Sequence, residues 1–321
     1  MAEFDLIEHI RRRLPARDDV VLGIGDDAAL LRLPESRQLA VTADTLNAGV
    51  HFPHATAPAD IGWKALAVNL SDLAAMGAQP AWCTLALSLP KADPDWLDAF
   101  IDGFLELALL HRTALVGGDT TRGPLSISVT AVGWVEPGKA LRRDGAQPGD
   151  DVWVTGTLGD AAAALRLWQA GLPAPDALMA RLDRPTPRVE TGRTLNAIAH
   201  ACIDLSDGLL ADLGHICTRS SVAAEIELDA LPASDTLREH FDQSTRWQLQ
   251  TGGGDDYELC FTAPAQARDA IAALAREGAA SVSRIGRLVA GAGIRAFDAN
   301  GGCWHPERAG YEHFFRTDPA V

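Results

Sequence analysis

Aspartates recur in short runs of small residues along this 321-residue chain: Gly25–Asp26–Asp27, Thr42–Ala43–Asp44, Ser71–Asp72, Gly118–Asp119, Asp204–Leu205–Ser206–Asp207–Gly208 and Gly254–Asp255–Asp256. Singly, each is accounted for by turn chemistry or helix capping, because a short carboxylate bonds readily to nearby backbone amides. Together they supply hard oxygen donors, the ligands that Mg²⁺ prefers. One magnesium needs only one or two protein carboxylates and completes its shell from water and nucleotide phosphates. Acids in this number can hold several ions, and bound cations let an acidic protein accept a polyphosphate.

Other nucleotide and hydrolytic chemistries lack their residues. No G-x-x-x-x-G-K-[ST] loop occurs, and the run Gly118 to Gly123 is followed by Pro124. The protein-kinase H-R-D and D-F-G, the hydrolase G-x-S-x-G and the metalloprotease H-E-x-x-H are also missing. Gly23–Ile24–Gly25–Asp26–Asp27–Ala28 matches a relaxed dinucleotide fingerprint, with Asp44 near the place of a ribose-binding acid. Pro34, however, interrupts the stretch that would have to form the crossover helix, and two aspartates would face the pyrophosphate. On composition alone His51 and His215 read as hydrogen-bonded structural histidines. Arg143, in Leu141–Arg142–Arg143–Asp144, reads equally as solvated surface or as an anion contact.

The net charge of −15 opposes binding to nucleic acid or an anionic lipid surface. Five cysteines, odd in number and without a C-x-x-C pair, read as reduced thiols. The opening MAEFDLIEHIRRRL lacks the apolar core of a signal peptide. The apolar runs Ala65 to Leu70 and Trp82 to Leu89 fall short of the roughly 18 residues of a membrane span. A soluble, cytoplasmic protein is the expectation.

The elements that must carry these acids follow from periodicity and breakers. With 47% hydrophobic and 22% charged residues the chain is an ordinary folding sequence, of a length that divides into two domains. A helix is expected over residues 3–14, a strand at Val20–Leu22, and a hairpin of Ala28–Leu33 and Gln38–Thr42 around Pro34–Arg37. Apolar residues at helical spacing predict helices over Pro58–Met76 and Pro94–Leu110. Strands at Ala114–Val116 and Leu125–Val135 are expected to flank a turn at Gly117–Thr121. The polar break Gly145–Asp151, followed by the strand Val152–Thr155, predicts domains of residues 1–147 and 148–321. Helices and strands mix without strict βαβ alternation, which predicts an α+β fold.

In order, the segments GIGDDAALL (23–31), TADTLNAGVHF (42–52), WKALAVNLSDLAAMGAQP (63–80), GGDTTRGPL (117–125), DLSDGL (204–209) and GGDDYELCFT (253–262) resemble the thiamine-monophosphate kinase family. The resemblance runs on to GYEHF (310–314), essentially the whole chain. The wider superfamily is similar to aminoimidazole ribonucleotide synthetase and selenophosphate synthetase.

The resemblance implies an α+β protein whose N-terminal domain, a mixed sheet with helices, pairs in a homodimer, and whose C-terminal α/β sandwich completes an active-site cleft. It implies ATP-dependent phosphorylation of thiamine monophosphate, with Mg²⁺ held by Asp27, Thr42, the backbone of Ala43, Asp44, Asp72, Asp119, Asp204 and Asp207. ATP contacts would be Gly118, Asp119, Arg143 and Ser206; substrate contacts would be His51, Asp255 and Tyr311. No catalytic base is expected, since the acceptor phosphate is already anionic. Where the family has glutamate this chain has Asp255, one methylene shorter. The alternatives are a related ATP-dependent synthetase and a non-enzymatic divalent-cation-binding protein.

Overall fold

The computed structural model describes residues 3–276, 281–307 and 310–311. Its elements through the first half are α1 (Glu3–Arg11), β1 (Val20–Leu22), β2 (Leu30–Leu31), β3 (Gln38–Asn47), α2 (Pro58–Ala75), β4 (Gln79–Leu89), α3 (Pro94–Leu110), β5 (Ala114–Arg122) and β6 (Ser126–Val135). There follow β7 (Asp150–Thr155), α4 (Asp160–Gln169), α5 (Asp176–Asp183), α6 (Val189–Leu195), β8 (Ala201–Asp204), α7 (Leu209–Ser220) and β9 (Ala223–Glu227). The last are α8 (Asp235–His240), α9 (Gln243–Gly252), β10 (Leu259–Pro264), α10 (Arg268–Arg276), β11 (Val282–Val289), β12 (Gly293–Phe297) and β13 (Cys303–Trp304).

Met1–Leu141 with Asp183–Ala197 forms one compact unit, and Arg142–Leu182 with Ile198–Val321 forms a second. Instead of one cut at residue 147, Arg142–Gln147 joins the second unit and Asp183–Ala197 returns to the first. Polar contacts remote in sequence hold the returning segment. Trp63 Nε1 donates to the Pro185 carbonyl at 2.8 Å and Asn196 Nδ2 to the Gly77 carbonyl at 2.9 Å.

In the first unit, α2 and α3 both open on proline, whose missing N–H costs nothing at a helix start. Asp93 caps α3 by accepting from the Trp96 N–H. The two helices touch at glycines. A Cβ on Gly62 would stand 2.0 Å from the Phe100 carbonyl, and one on Gly103 would stand 1.8 Å from the Ala59 carbonyl. Leu66, Leu70, Leu73, Phe100, Phe104 and Ile127 are fully buried in this unit.

Its four-stranded sheet has the order β3-β6-β4-β5. The expected hairpin does not form: β2 pairs with β1, and β3 pairs with β6 from Gln38↔Val135 to Asn47↔Ser126. A ten-residue strand needs a partner of its own length, which lies some ninety residues on and not across the local turn. Thr42–Ala43–Asp44 therefore lies inside a strand, and Gly117–Thr121 lies within β5, where Gly118 faces Leu85 and Asp119 faces Ala86. No helix stands between Gly25 and Asp44, so the crossover of a dinucleotide fold is missing there.

In the second unit a mixed sheet of seven described strands runs β13-β12-β9-β11-β7-β10-β8, antiparallel except where β12 lies parallel to β9. Its inner strand β7 is buried at every position, as a strand covered on both faces must be. Val152, Val154, Ile203, Leu205, Leu209 and Leu213 share its core. Mixed sheets with helices in both units are the α+β architecture. Among the described residues no helix is long and apolar enough to cross a membrane.

Candidate functional site

The period of two along a strand puts Thr42 and Asp44 on one face of β3. Helix α2 meets them. Thr42 Oγ1 donates to Asp72 Oδ2, and the Asp44 N–H donates to Asn69 Oδ1 at 3.1 Å. Asn69 is fully buried and donates in turn to the Ala65 carbonyl at 3.1 Å. Since the Asp44 N–H turns away to Asn69, the other pole of that peptide, the Ala43 carbonyl, turns toward β6. Burial first, and then the charge of Asp72, push the Asp44 carboxyl up to about 6. Two carboxylates and a hydroxyl thus meet as hard oxygen donors, a set that suits Mg²⁺.

His51 sits in the tight loop after β3. The Gly49 N–H donates to the Phe52 carbonyl at 2.9 Å, and the Asn47 N–H donates to His51 Nδ1 at 3.0 Å. With Nδ1 accepting, a neutral ring carries its proton on Nε2. Lys64 Nζ, from the buried face of α2, donates to the His51 carbonyl at 3.0 Å. One helix therefore holds three predicted site residues, with Lys64 on His51, Asn69 on Asp44 and Asp72 on Thr42.

The other predicted residues of this unit sit on the turn after β1 and on β5. Asp27 is exposed on the turn after β1, with its N–H on Asp26 Oδ1 at 2.9 Å. Gly118 and Asp119 lie on the edge strand β5 and line a small cavity with Ile7, Ile10, Ile24 and Leu85. Gly118 is required there, because its φ is +147° and a Cβ would stand 1.8 Å from the Leu85 carbonyl. Among the described residues, no three His, Cys, Asp or Glu side chains converge into a metal cage. Ligation would combine one or two carboxylates with phosphate and water oxygens.

In the second unit the structure does bring predicted residues together. Strand β8 ends at Asp204, and the loop to α7 is stitched to the GGDDYEL segment. Leu205 N–H donates to the Glu258 carbonyl (2.8 Å), Tyr257 N–H to the Leu205 carbonyl (2.8 Å) and Asp255 N–H to the Ser206 carbonyl (2.9 Å). Tyr311 N–H donates to the Asp207 carbonyl at 3.0 Å, so Asp204, Ser206, Asp207, Asp255 and Tyr311 occupy one neighbourhood. The Glu312–Phe314 part of GYEHF lies outside the described residues. Arg143 is exposed, with its carbonyl accepting from Ser220 Oγ at 2.8 Å.

Asp255 and Tyr257 adopt left-handed backbone, φ +67° and +48°. Their surroundings impose it. Between them, buried Asp256 accepts from the Gly159 N–H at 2.9 and 3.1 Å, and burial pushes its carboxyl well up. Next along, buried Glu258 pairs with Arg181 at 2.7 Å and accepts from Thr155 Oγ1 at 2.6 Å. The Tyr257 hydroxyl donates to Asp255 Oδ1 at 3.0 Å.

Residues 25–135 match the model of the N-terminal domain of AIR synthase related proteins, and residues 147–299 match that of the C-terminal domain. The chain is 48% identical to the thiamine-monophosphate kinase of Salmonella typhimurium, over 97% of this chain and 98% of that protein. The chain belongs to the thiamine-monophosphate kinase family. The crystal structure of the family member from Stenotrophomonas maltophilia K279a is 60% identical, with a TM-score of 0.87, and covers 92% of this chain and 96% of its own. A second solved member, AaThiL complexed with AMPPCP and TMP, is 33% identical with a TM-score of 0.77 over 97% of both chains.

Sequence reasoning missed four residues that hold the family's acidic segments in place: Lys64, Asn69, Arg181 and Asp212. A signal existed for the first two, a lysine and an amide set among Ala65, Leu66, Ala67, Val68 and Leu70. A polar residue on the buried face of a helix must find a partner. Asp212 had none, since an aspartate in the first turn of a helix is ordinarily explained by the helix dipole.

Proposed function

We propose that the chain transfers the γ-phosphoryl group of ATP to thiamine monophosphate, giving thiamine diphosphate and ADP. The observation that carries this reading is near-full-length identity to thiamine-monophosphate kinases, one of them solved with AMPPCP and TMP. A phosphate oxygen of thiamine monophosphate forms the new bond to the γ-phosphorus, and the bond from that phosphorus to the β-phosphate bridging oxygen breaks. The nucleophile is anionic from the start, so no side chain takes a proton. The barrier is charge and alignment.

Mg²⁺, when bound, supplies neutralisation between the approaching phosphates. Its ligands in this reading are Asp27, Thr42, Asp44, Asp72, Asp119, Asp204 and Asp207, with the remaining lone pair of the Ala43 carbonyl. Gly118, Asp119, Arg143 and Ser206 contact ATP. His51, through its Nε2–H, and Asp255 and Tyr311 contact thiamine monophosphate. Asp255, shorter than the family's glutamate and held by the Tyr257 hydroxyl, reaches the thiamine ring through a water.

The protein works in the cytoplasm as a homodimer paired through its first unit. That assembly is supported by the exposed Val21, Leu30, Leu31, Leu33, Leu39 and Val41, which cluster in one stretch of the sequence.

The test is an assay with Mg·ATP and thiamine monophosphate, following thiamine diphosphate by chromatography, with free thiamine and EDTA-treated samples as controls. Magnesium-dependent product is expected. Binding of ATP without product points instead to a synthetase of the same superfamily, and indifference to nucleotide points to a cation-binding protein.

A further inference from the structure

Three successive amides of the Asp204–Gly208 loop point at one place just before α7. Loops that lead into a helix N-terminus collect anions in this way, and in nucleotide enzymes the anion is often a phosphate. Here the place is filled from within. A single carboxylate oxygen, Asp212 Oδ2, accepts from the N–H groups of Ser206 (3.0 Å), Asp207 (3.1 Å) and Gly208 (3.1 Å). Asp212 lies in the first turn of α7 and is only 3% exposed, so it is a part of the loop's frame and not a surface acid.

The loop's carbonyls are also committed. Leu205 accepts from Tyr257, Ser206 from Asp255 and Asp207 from Tyr311. With these amides and carbonyls engaged, the loop's backbone has no N–H at Ser206, Asp207 or Gly208 to give a phosphate, and the oxygen-bearing side chains it carries are those of Asp204, Ser206 and Asp207. That set attracts a cation and repels a bare phosphate.

We infer that Asp212 is a positioning residue for the phosphoryl transfer. By occupying the amide cradle it bars phosphate from the loop backbone and holds Asp204, Ser206 and Asp207 as a cation-binding edge. The inference rests on the proposed roles of those three residues in metal and ATP binding. It assigns Asp212 no contact with substrate. A group that orients metal ligands typically contributes about 10–100-fold in metal affinity or activity.

The experiment uses the full chain, with Asp212→Leu, which removes the acceptor, and Asp212→Asn, which keeps an oxygen able to face the same amides. Three readouts are taken: melting temperature, amide hydrogen exchange across residues 206–208, and the Mg²⁺ concentration for half-maximal turnover. In Asp212→Leu the amides exchange faster, half-saturating Mg²⁺ rises about 10–100-fold and kcat falls. In Asp212→Asn protection is kept and Mg²⁺ dependence stays within about threefold of the parent, a rescue that a purely electrostatic role would not give.

Unchanged exchange and Mg²⁺ dependence in Asp212→Leu overturns the inference, as does an Asp212→Asn protein that keeps its amide protection but loses Mg²⁺ response. If Asp212→Leu fails to fold, Asp212→Asn decides alone on those terms. If the parent turns over no thiamine monophosphate, the functional reading fails. The inference is then read separately, from Mg²⁺-dependent binding of a non-hydrolysable ATP analogue by calorimetry.

Discussion

At the scale of single residues, the site stores repulsion that a ligand must relieve. Asp44 is half-buried beside Asp72, and its carboxyl, pushed up to about 6, is ionised at pH 7 against both burial and a like charge. If Asp44 ligates Mg²⁺ as proposed, Asp44→Asn should lose turnover by about 100-fold or more. The same change should stabilise the metal-free protein by about 1 kcal/mol at pH 7, after discount for the solvent that still reaches the site. Differential scanning calorimetry in EDTA reads the second effect as a rise in Tm of a few degrees. A fall in Tm would show that another group already compensates the Asp44 charge. Asp255 and Tyr257 store strain of a different kind, left-handed backbone clamped by the buried Asp256 between them and the buried Glu258 that follows.

At the scale of elements, α2 is the template of the first unit and β7 the spine of the second. Helix α2 reaches β3 and its loop through Lys64, Asn69 and Asp72, so its register against β3 sets where Thr42, Asp44 and His51 stand. Strand β7 is tied to its neighbours by an ionic node. Asp151 accepts from Arg268 of α10 at 2.6 and 2.8 Å and from Arg284 of β11 at 2.7 Å. Arg268 foremost, with Arg284, holds the Asp151 carboxyl below the usual carboxylate range. A carboxyl lowered on folding contributes stability above its unfolded value, about 3.9, and that contribution drains away as pH falls from there through the folded value. Asp151→Asn should cost about 1–2 kcal/mol at pH 7, a figure discounted because Arg268 is half exposed. The gap from the parent should shrink by about pH 3. Urea midpoints at the two pH values measure it; a gap that stays constant would mean the node acts through packing and not charge.

At the scale of the whole molecule, the first unit leaves an apolar stretch in water. Val41 is 63% exposed and Leu39 51%, on an edge strand ten residues long, with Val21 and Leu30 exposed nearby in sequence. An uncovered edge of this kind invites a second copy. The Leu39→Glu, Val41→Glu double variant is expected to sediment as a monomer where the parent sediments as a dimer, with the melting temperature of the variant checking that its fold is kept. A monomeric parent at assay concentration would remove the dimer from the functional reading.

By itself the sequence determined the class of chemistry, the α+β architecture and the long helices. An excess of hard carboxylates over any phosphate loop, and apolar spacing across Pro58–Met76 and Pro94–Leu110, are written in neighbouring residues. Only the tertiary structure decided that β3 pairs with β6 and not with its local neighbour, that Thr42 to Asp44 and Gly117 to Thr121 lie in strands, and that Asp183–Ala197 returns to the first unit. It also decided which backbone N–H each buried side chain meets, Asn69 at Asp44 and Asp212 at Ser206, Asp207 and Gly208. The reason is physical. Periodicity is a local property, whereas strand register and the satisfaction of buried N–H groups are set by partners that only the folded chain brings within about 3 Å.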